Sequence, residues 1–410
     1  MRILFLSQRF LLPMDAGGKI RTGKILEQLY KDHELTVISN VESPIDDAYI
    51  GQMEEMCTKF VPVYWKEVKK YSALYFLRLF FQTFSFYPVT VLNTCSDSLR
   101  KTLEKEAING SFDVAICDFV QSALLFKNIN YIPLVLFQHN VESVISKRHA
   151  EQTVNPIAKL FWWLQWVKLN RYESKQTKLF DAVIAVSNND AKYFESHYNL
   201  NRVFDIPTGV DVEYFKPLEK PKIDKYSLVF CGSMDWLPNE DCIIYFINEI
   251  LPLLKKIIPD IHLTVVGRNP SPQLKKAAVN LPEIELTGWV DDTRQYIAKS
   301  ALFIVPLRIG GGTRMKIYEA MAMGKTVIST TIGAEGLPVT HGENIVIEDD
   351  SLRFAETIAE LLMDDGKRIA IGASANKFVT ENYAWKQVAD KFTQICKIAA
   401  QKESEVVPGT

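Results

Sequence analysis

Short apolar, β-branched runs alternate with helix-length segments along almost the whole chain, and this rhythm leaves few folds open. In the first half the runs are 2–7 (RILFLS), 34–39 (ELTVIS), 60–64 (FVPVY), 112–117 (FDVAIC), 133–138 (PLVLFQ) and 181–186 (DAVIAV). In the second half they are 227–231 (SLVFC), 262–266 (HLTVV), 284–287 (IELT), 301–305 (ALFIV), 326–329 (TVIS) and 344–347 (NIVI). Continuous apolar strands separated by helices are parallel strands covered on both faces. The alternation predicts doubly wound α/β sheets. Because the rhythm restarts near residue 227, two domains are expected. They are 1–205 and 223–383, joined by a Pro- and charge-rich linker at 206–222, with a C-terminal helix and tail at 384–410 packing back toward the first domain. The length agrees, since 410 residues exceed one ordinary core. In such sheets ligands bind beyond the carboxyl ends of the strands, here in a central cleft faced by both domains.

Composition removes several classes. Apolar residues make up 47% and charged residues 23%, which suits a globular core and argues against disorder. Lys plus Arg is 47 against 49 for Asp plus Glu, so no basic excess points to nucleic acid. The six cysteines (57, 95, 117, 231, 242, 396) share no metal-ligand spacing and read as reduced core thiols of a cytoplasmic protein. No run of ~18 apolar residues is present, so no membrane span is expected. The opening MRILFLSQRF reads as a first strand, not a signal peptide.

The sharpest local signal is RIGGGTRMKIYEAMAMGK, residues 308–325. A strand ends, glycines follow, and a helix is expected from about Thr313, its N-cap. Its first turn carries Arg314 and Lys316, where the helix dipole disfavours cations. A bound anion reverses that sign, and glycines let backbone N–H groups approach a phosphate. The first domain repeats the pattern after 2–7: a helix expected at Gly17–Gly18 carries Lys19, Arg21 and Lys24. Neither is a GxGxxG fingerprint or a Walker loop, which weighs against a dehydrogenase or an NTPase. In LFQHNVES (136–143), His139 stands at a strand's carboxyl edge, placed to donate a hydrogen bond to a sugar hydroxyl or to polarise the donor. Asn140 is positioned to cap the following helix, and Glu142 suits its first turn. In FCGSMDWLPNEDC (230–242), Gly232 and Ser233 end a strand before a helix opened by Pro238, and the loop between is placed to touch a diphosphate through its backbone. VVGR (265–268) and TGWV (287–290) are strand-end loops suited to a nucleotide base.

These residues look familiar in their order. TGVDVEYF in the linker resembles the NGVD-x-x-F signature of GT-B fold glycosyltransferases of family 4. GSM, VVGR, TGWV and GGGTRMKIYEAMAMGKTVIST follow as in that family's second domain, and the GGK loop and HNVE match in the first. The resemblance implies a GT-B fold and a retaining transfer from a nucleotide-diphosphate sugar, with no cofactor and no metal in the chemistry. It implies Glu319 on the ribose hydroxyls, and Arg314 and Lys316 on the diphosphate with the Gly311–Gly312–Thr313 loop. It implies Gly17 and Gly18 bringing backbone onto that diphosphate, His139 on the donor sugar, and Arg268 and Val290 near the base. Two departures stand out. The first acid of the family's E-x7-E pair falls at Gly311, and the Arg and Lys of its G-R-x-x-x-x-K-G loop are absent from GSMDWLPN.

The acceptor is expected to be a glycan or a lipid-linked molecule. The aromatic segments 71–87 and 155–175 bear on it. In the second, Ile157, Leu160, Phe161, Leu164 and Val167 recur at helical spacing beside Lys159, Lys168 and Arg171. The plainer expectation is a core helix; the other is peripheral contact with the inner face of the cell membrane. A non-hydrolysing nucleotide-sugar epimerase and a non-catalytic sugar-nucleotide-binding subunit are the competing functions.

Overall fold

The computed structural model describes residues 1–66, 68, 72–153, 155–218, 222–309 and 314–401. It divides into two compact units, Met1–Pro207 with Val388 onward, and Thr208–Gln387.

The first unit holds seven strands: β1 (Arg2–Ser7), β2 (Glu34–Val41), β3 (Lys59–Tyr64), β4 (Val114–Asp118), β5 (Leu134–Gln138), β6 (Ala182–Ala185) and β7 (Val203–Asp205). Their order is β3-β2-β1-β4-β5-β6-β7 and every pair is parallel. The second unit holds β8 (Asp224–Cys231), β9 (His262–Val266), β10 (Ile284–Gly288), β11 (Ser300–Val305), β12 (Val327–Ser329) and β13 (Val346–Ile347). Their order is β10-β9-β8-β11-β12-β13, again all parallel. Each sheet reverses its direction of growth beside its first strand, between β1 and β4 and between β8 and β11. Ligands bind at such a switch point.

The expected strands all form, with ends shifted by a few residues. Strand β7 lacks a signal because three residues carry no period. Ile3, Leu4, Phe5 and Leu6 are wholly buried, as a strand covered on both faces requires.

Seven helices matter below: α1 (Gly17–Asp32), α2 (Ala73–Thr83), α3 (Glu142–Gln152), α4 (Pro156–Gln176), α5 (Leu237–Tyr245), α6 (Met315–Ala322) and α7 (Trp385–Ala400). From Val388, α7 lies in the first unit, where Phe392 meets Phe137 edge-on at 5.2 Å. The 206–222 segment is not uniformly a linker. Val210 is buried in the second unit's core and pairs with Ala384.

Helix α4 corrects the core expectation. Its buried residues are Gln165, Leu169, Tyr172, Glu173 and Gln176, while Ile157 is 80% exposed. The inner face is polar because it hydrogen-bonds: Gln165 accepts from the Val89 amide, and Glu173 serves the start of α3. Of the apolar stripe, Ile157 and Leu160 therefore turn outward, while Phe161, Leu164 and Val167 are half-buried.

Candidate functional site

In the second unit, the loops after β8, β9 and β10 are tied together at the strands' carboxyl ends. The Gly232 amide donates to Val266 O at 2.9 Å, Met234 N to Arg268 O at 2.9 Å, and Gly267 N to Gly288 O at 3.2 Å. A Cβ on Gly267 would lie 1.8 Å from Gly232 O, so only glycine fits there. Arg268 Nε donates to Ser233 Oγ at 3.0 Å, and that hydroxyl donates to Asp235 Oδ1 at 2.6 Å. Asn269 also donates to Asp235, and these hydroxyl and amide bonds hold the carboxyl below its ordinary range.

Helix α6 adds the charge. Lys316 Nζ donates to Asn239 Oδ1 at 2.7 Å and sits 4.0 Å over the Phe230 ring. Asn239, on α5, donates to Ser233 O at 2.7 Å, so one buried amide links the ammonium to the β8 loop. A Cβ on Gly232 would come within 2.6 Å of Lys316 Nζ. Glycine is what lets that ammonium lie against the backbone. Burial pushes the Lys316 pKa down to about 8 and the Glu319 pKa up to about 7, each charge partly offsetting the other's shift. The Arg314 guanidinium lies 5.7 Å from the Trp236 ring centre.

In the first unit a second polar cluster forms where β4, β5 and α1 meet. His139 is 3% exposed, with Nε2 2.8 Å from Asp118 Oδ1 and Nδ1 3.2 Å from Arg21 Nη1. A guanidinium only donates, so Nδ1 accepts and Nε2 carries the proton. Thr22 Oγ1 stands 3.2 Å from Asp118 Oδ2, and Ser7 Oγ also reaches that oxygen. Burial, first, lowers the His139 pKa and keeps the ring neutral, with Asp118 opposing the shift. The Phe119 ring stacks on the imidazole at 4.0 Å from a backbone at φ 67°, a strained conformation of the kind kept at functional sites. A Cβ on Gly18 would meet Phe119 at 3.2 Å and His139 Nδ1 at 3.8 Å, so the start of α1 packs directly on the pair.

Comparison with known proteins gives this geometry a family. The profile described as "Glycosyltransferase Family 4" matches residues 27–214, and "Glycosyl transferases group 1" matches 225–364. Together they span most of the chain. The chain belongs to the GT-B glycosyltransferases of family 4, group 1.

This glycosyltransferase is 25% identical over 402 residues to a Klebsiella pneumoniae 44.6 kDa protein in the cps region, covering 94% of this chain and 97% of that one. It is 26% identical to a Corynebacterium glutamicum GDP-mannose-dependent monoacylated α-(1-6)-phosphatidylinositol monomannoside mannosyltransferase, covering 52% of this chain and 61% of that protein. Among solved structures, Anabaena HepE in complex with UDP superposes with TM-score 0.65 at 16% identity, covering 97% of this chain and all of that one. Sucrose-phosphate synthase from Thermosynechococcus elongatus gives 0.63 at 15%, covering 97% and 98%.

The structure gathers Gly232, Ser233, Arg268 and Lys316 into one cluster, with Glu319 a turn further along α6. Val290 packs against the second unit's core two residues after Gly288, whose carbonyl accepts from Gly267, and next to Trp289, which is 69% exposed. Gly311, Gly312 and Thr313 lie outside the described residues, and α6 begins at Met315, with Arg314 as its N-cap residue. Three expectations are corrected. His139 does not offer its proton to a sugar in this arrangement, because Asp118 takes it. Asn140 does not cap α3; Glu173 accepts from the Glu142 and Ser143 amides at 3.1 Å each. Lys19 and Lys24 are neutralised by Asp15 at 3.3 Å and Glu27 at 2.9 Å, which leaves Arg21 as the cation of the α1 start that joins the cluster. Sequence reasoning missed Asp118 and Asn239. Asp118 ends the buried run VAICD at a strand's carboxyl edge, a position that was itself a signal. Among the described residues no cluster of His, Cys, Asp or Glu could hold a metal, and no helix is long and apolar enough to cross a membrane.

Proposed function

We propose that this glycosyltransferase moves a sugar, with retention, from a nucleotide-diphosphate sugar to a glycan or lipid-linked acceptor, in polysaccharide or cell-surface glycan synthesis. One observation carries the reading: the Lys316 ammonium is fixed over the side-chain-free Gly232, at the switch point of the second sheet. A diphosphate there meets an ammonium, the backbone of the β8 loop and the start of α6 together. Arg314 is the second cation. Glu319 takes the ribose hydroxyls, and Arg268, with Ser233, faces the base side. HepE was solved with UDP, and the mannosyltransferase relative is named for GDP-mannose, which supports a nucleotide donor without choosing the base. The cps region in the Klebsiella relative's name supports the glycan setting.

The chemistry follows from charge. As the anomeric C–O bond to the diphosphate lengthens, negative charge grows on the leaving oxygen, and Lys316, Arg314 and backbone N–H groups stabilise it. The acceptor hydroxyl forms its bond to the anomeric carbon on the same face, and its proton passes to the departing phosphate oxygen. No metal is called for in these steps. The first unit's share is the acceptor, with the Gly17–Gly18 helix start and the Arg21–His139–Asp118 cluster as its polar end.

Calorimetric titration of UDP- and GDP-sugars tests the donor assignment. Lys316→Ala should weaken binding at least tenfold, the worth of a charge-assisted contact of about 1.5–3 kcal/mol. Arg314→Ala should also weaken it. If both variants bind and turn over donor like the parent, the diphosphate does not sit here.

A further inference from the structure

Helix α2 buries none of its residues. Leu77, Phe80, Phe81 and Phe84 are all more than half exposed, and Phe86, just beyond, is 98% exposed. Phe80 packs edge-on against Phe81 and Phe84 at 5.7 and 5.1 Å, so the rings cluster in solvent rather than scatter. Helix α2 touches α4, which presents exposed Ile157, Leu160 and Trp163. Soluble chains seldom leave so many neighbouring rings in water.

Charge accompanies it. Between residues 83–87 and the second half of α4 lies a cavity of about 610 Å³ lined by Lys168, Arg171 and Lys175 and by no carboxylate. The three cations recur at helical spacing on one stripe. Lys168 Nζ donates to Thr83 O at 2.5 Å, tying the aromatic loop to the helix, and burial lowers the Lys168 pKa. Among the described residues neither Arg171 nor Lys175 has an ion-pair partner. The whole chain carries a net charge of −2, so this excess is local and not a consequence of composition.

We propose that this face docks on an anionic phospholipid bilayer, with the α2 and 84–87 rings entering the headgroup boundary and a lipid phosphate seated among Lys168, Arg171 and Lys175. Aromatic rings suit that boundary, and clustered cations are drawn to anionic headgroups. A second copy of the chain fits worse: a two-fold interface would set this cationic stripe against itself. The proposal rests on the transferase reading in one respect, that a membrane-held acceptor gives the docking its use.

Sedimentation of the full chain with vesicles tests it. Vesicles of phosphatidylcholine mixed with phosphatidylglycerol should bind the chain, phosphatidylcholine alone should bind it weakly, and added salt should release it. Arg171→Ser with Lys175→Ser should weaken binding roughly 25-fold, from about fivefold per lost cation. Phe80→Ser with Phe81→Ser should weaken it as strongly while thermal melting stays unchanged, since both rings are exposed. Equal binding to both vesicles, no binding, or variants that bind like the parent overturn the proposal. So does a dimer in solution that the Phe80, Phe81 variant converts to monomer. Donor titration on the same preparations separates the two readings. Lost vesicle binding with intact donor binding removes the docking face alone; the reverse removes the transferase reading alone.

Discussion

Lys316 is the second residue of α6, where the helix dipole repels it, and burial adds to that cost. The Asn239 oxygen and the Phe230 ring face only part of that cost, and the ammonium titrates near 8 instead of its ordinary 10.5. The folded chain thus holds fewer protons than the unfolded chain between about 8 and 10.5, so this lysine's contribution to stability rises with pH across that window. Anion binding needs the proton, so its pH dependence runs the other way. Donor affinity should fall above pH about 8, approaching tenfold per pH unit, and the break should vanish in Lys316→Ala. Titrating UDP across that range checks it. Glu319 has the opposite sign. Its folded pKa is raised from 4.5 to about 7, so its share of stability is full below the lower value and is lost as pH rises through the upper. Glu319→Gln should flatten that loss in urea midpoints read against pH. In the other unit, Asp118→Ala leaves the His139 Nε2 proton buried without its acceptor. A loss of about 1–3 kcal/mol is expected by urea denaturation, with acceptor transfer falling more than donor binding.

Elements differ in how much of their reason is local. Strands β1, β5 and β11 were legible because burial on both faces writes an unbroken apolar run, and α1 because glycines and cations mark its start. The start of α3 was not legible. Asn140 has the right type and place for a cap, but Glu173 does the work from 31 residues away in sequence, accepting two amides that open α3 as well as bonds from Gln138 and Tyr198. Nothing near His139 announces that partner. The same blindness misplaced α4, whose apolar stripe reads as core until Gln165 and Glu173 are seen to occupy the inner face. Glu173→Ala should cost at least the ~1–2 kcal/mol of a lost helix cap, because of the amides it leaves the Ser143 one is buried and the Glu142 one partly so. Hydrogen exchange should quicken at the Glu142 and Ser143 amides before it quickens in β5. Unchanged exchange there would mean that the carboxylate does not hold α3 in place.

At the scale of the molecule, the restart of the strand rhythm near 227 was enough to read two sheets, because a parallel sheet with helices on both faces must close its core before a second begins. It was not enough to place the boundary. Residues 206–222 look like a tether by composition, yet Val210 is part of the second core and the Val210 amide bonds Tyr383 O at 2.7 Å, since a chain leaving one unit gains by packing on the next. The residues proposed to hold the donor were legible in kind but scattered: Gly232, Arg268 and Lys316 lie as far as 84 residues apart, and only the sheet order β9-β8-β11 makes them neighbours. That order makes a last prediction for the intact chain. If the donor lies at the β8–β11 switch point, a saturating nucleotide sugar should slow amide exchange in two separate stretches, 232–239 and 314–319, while the far edge around β13 stays unchanged. At ligand a hundredfold above its dissociation constant, overall stability should rise by about 2.7 kcal/mol. The two stretches share no sequence continuity but meet through Lys316 and Asn239, so their joint protection marks a ligand at that junction. Protection confined to the first unit, or spread evenly over the second sheet, would place the nucleotide elsewhere.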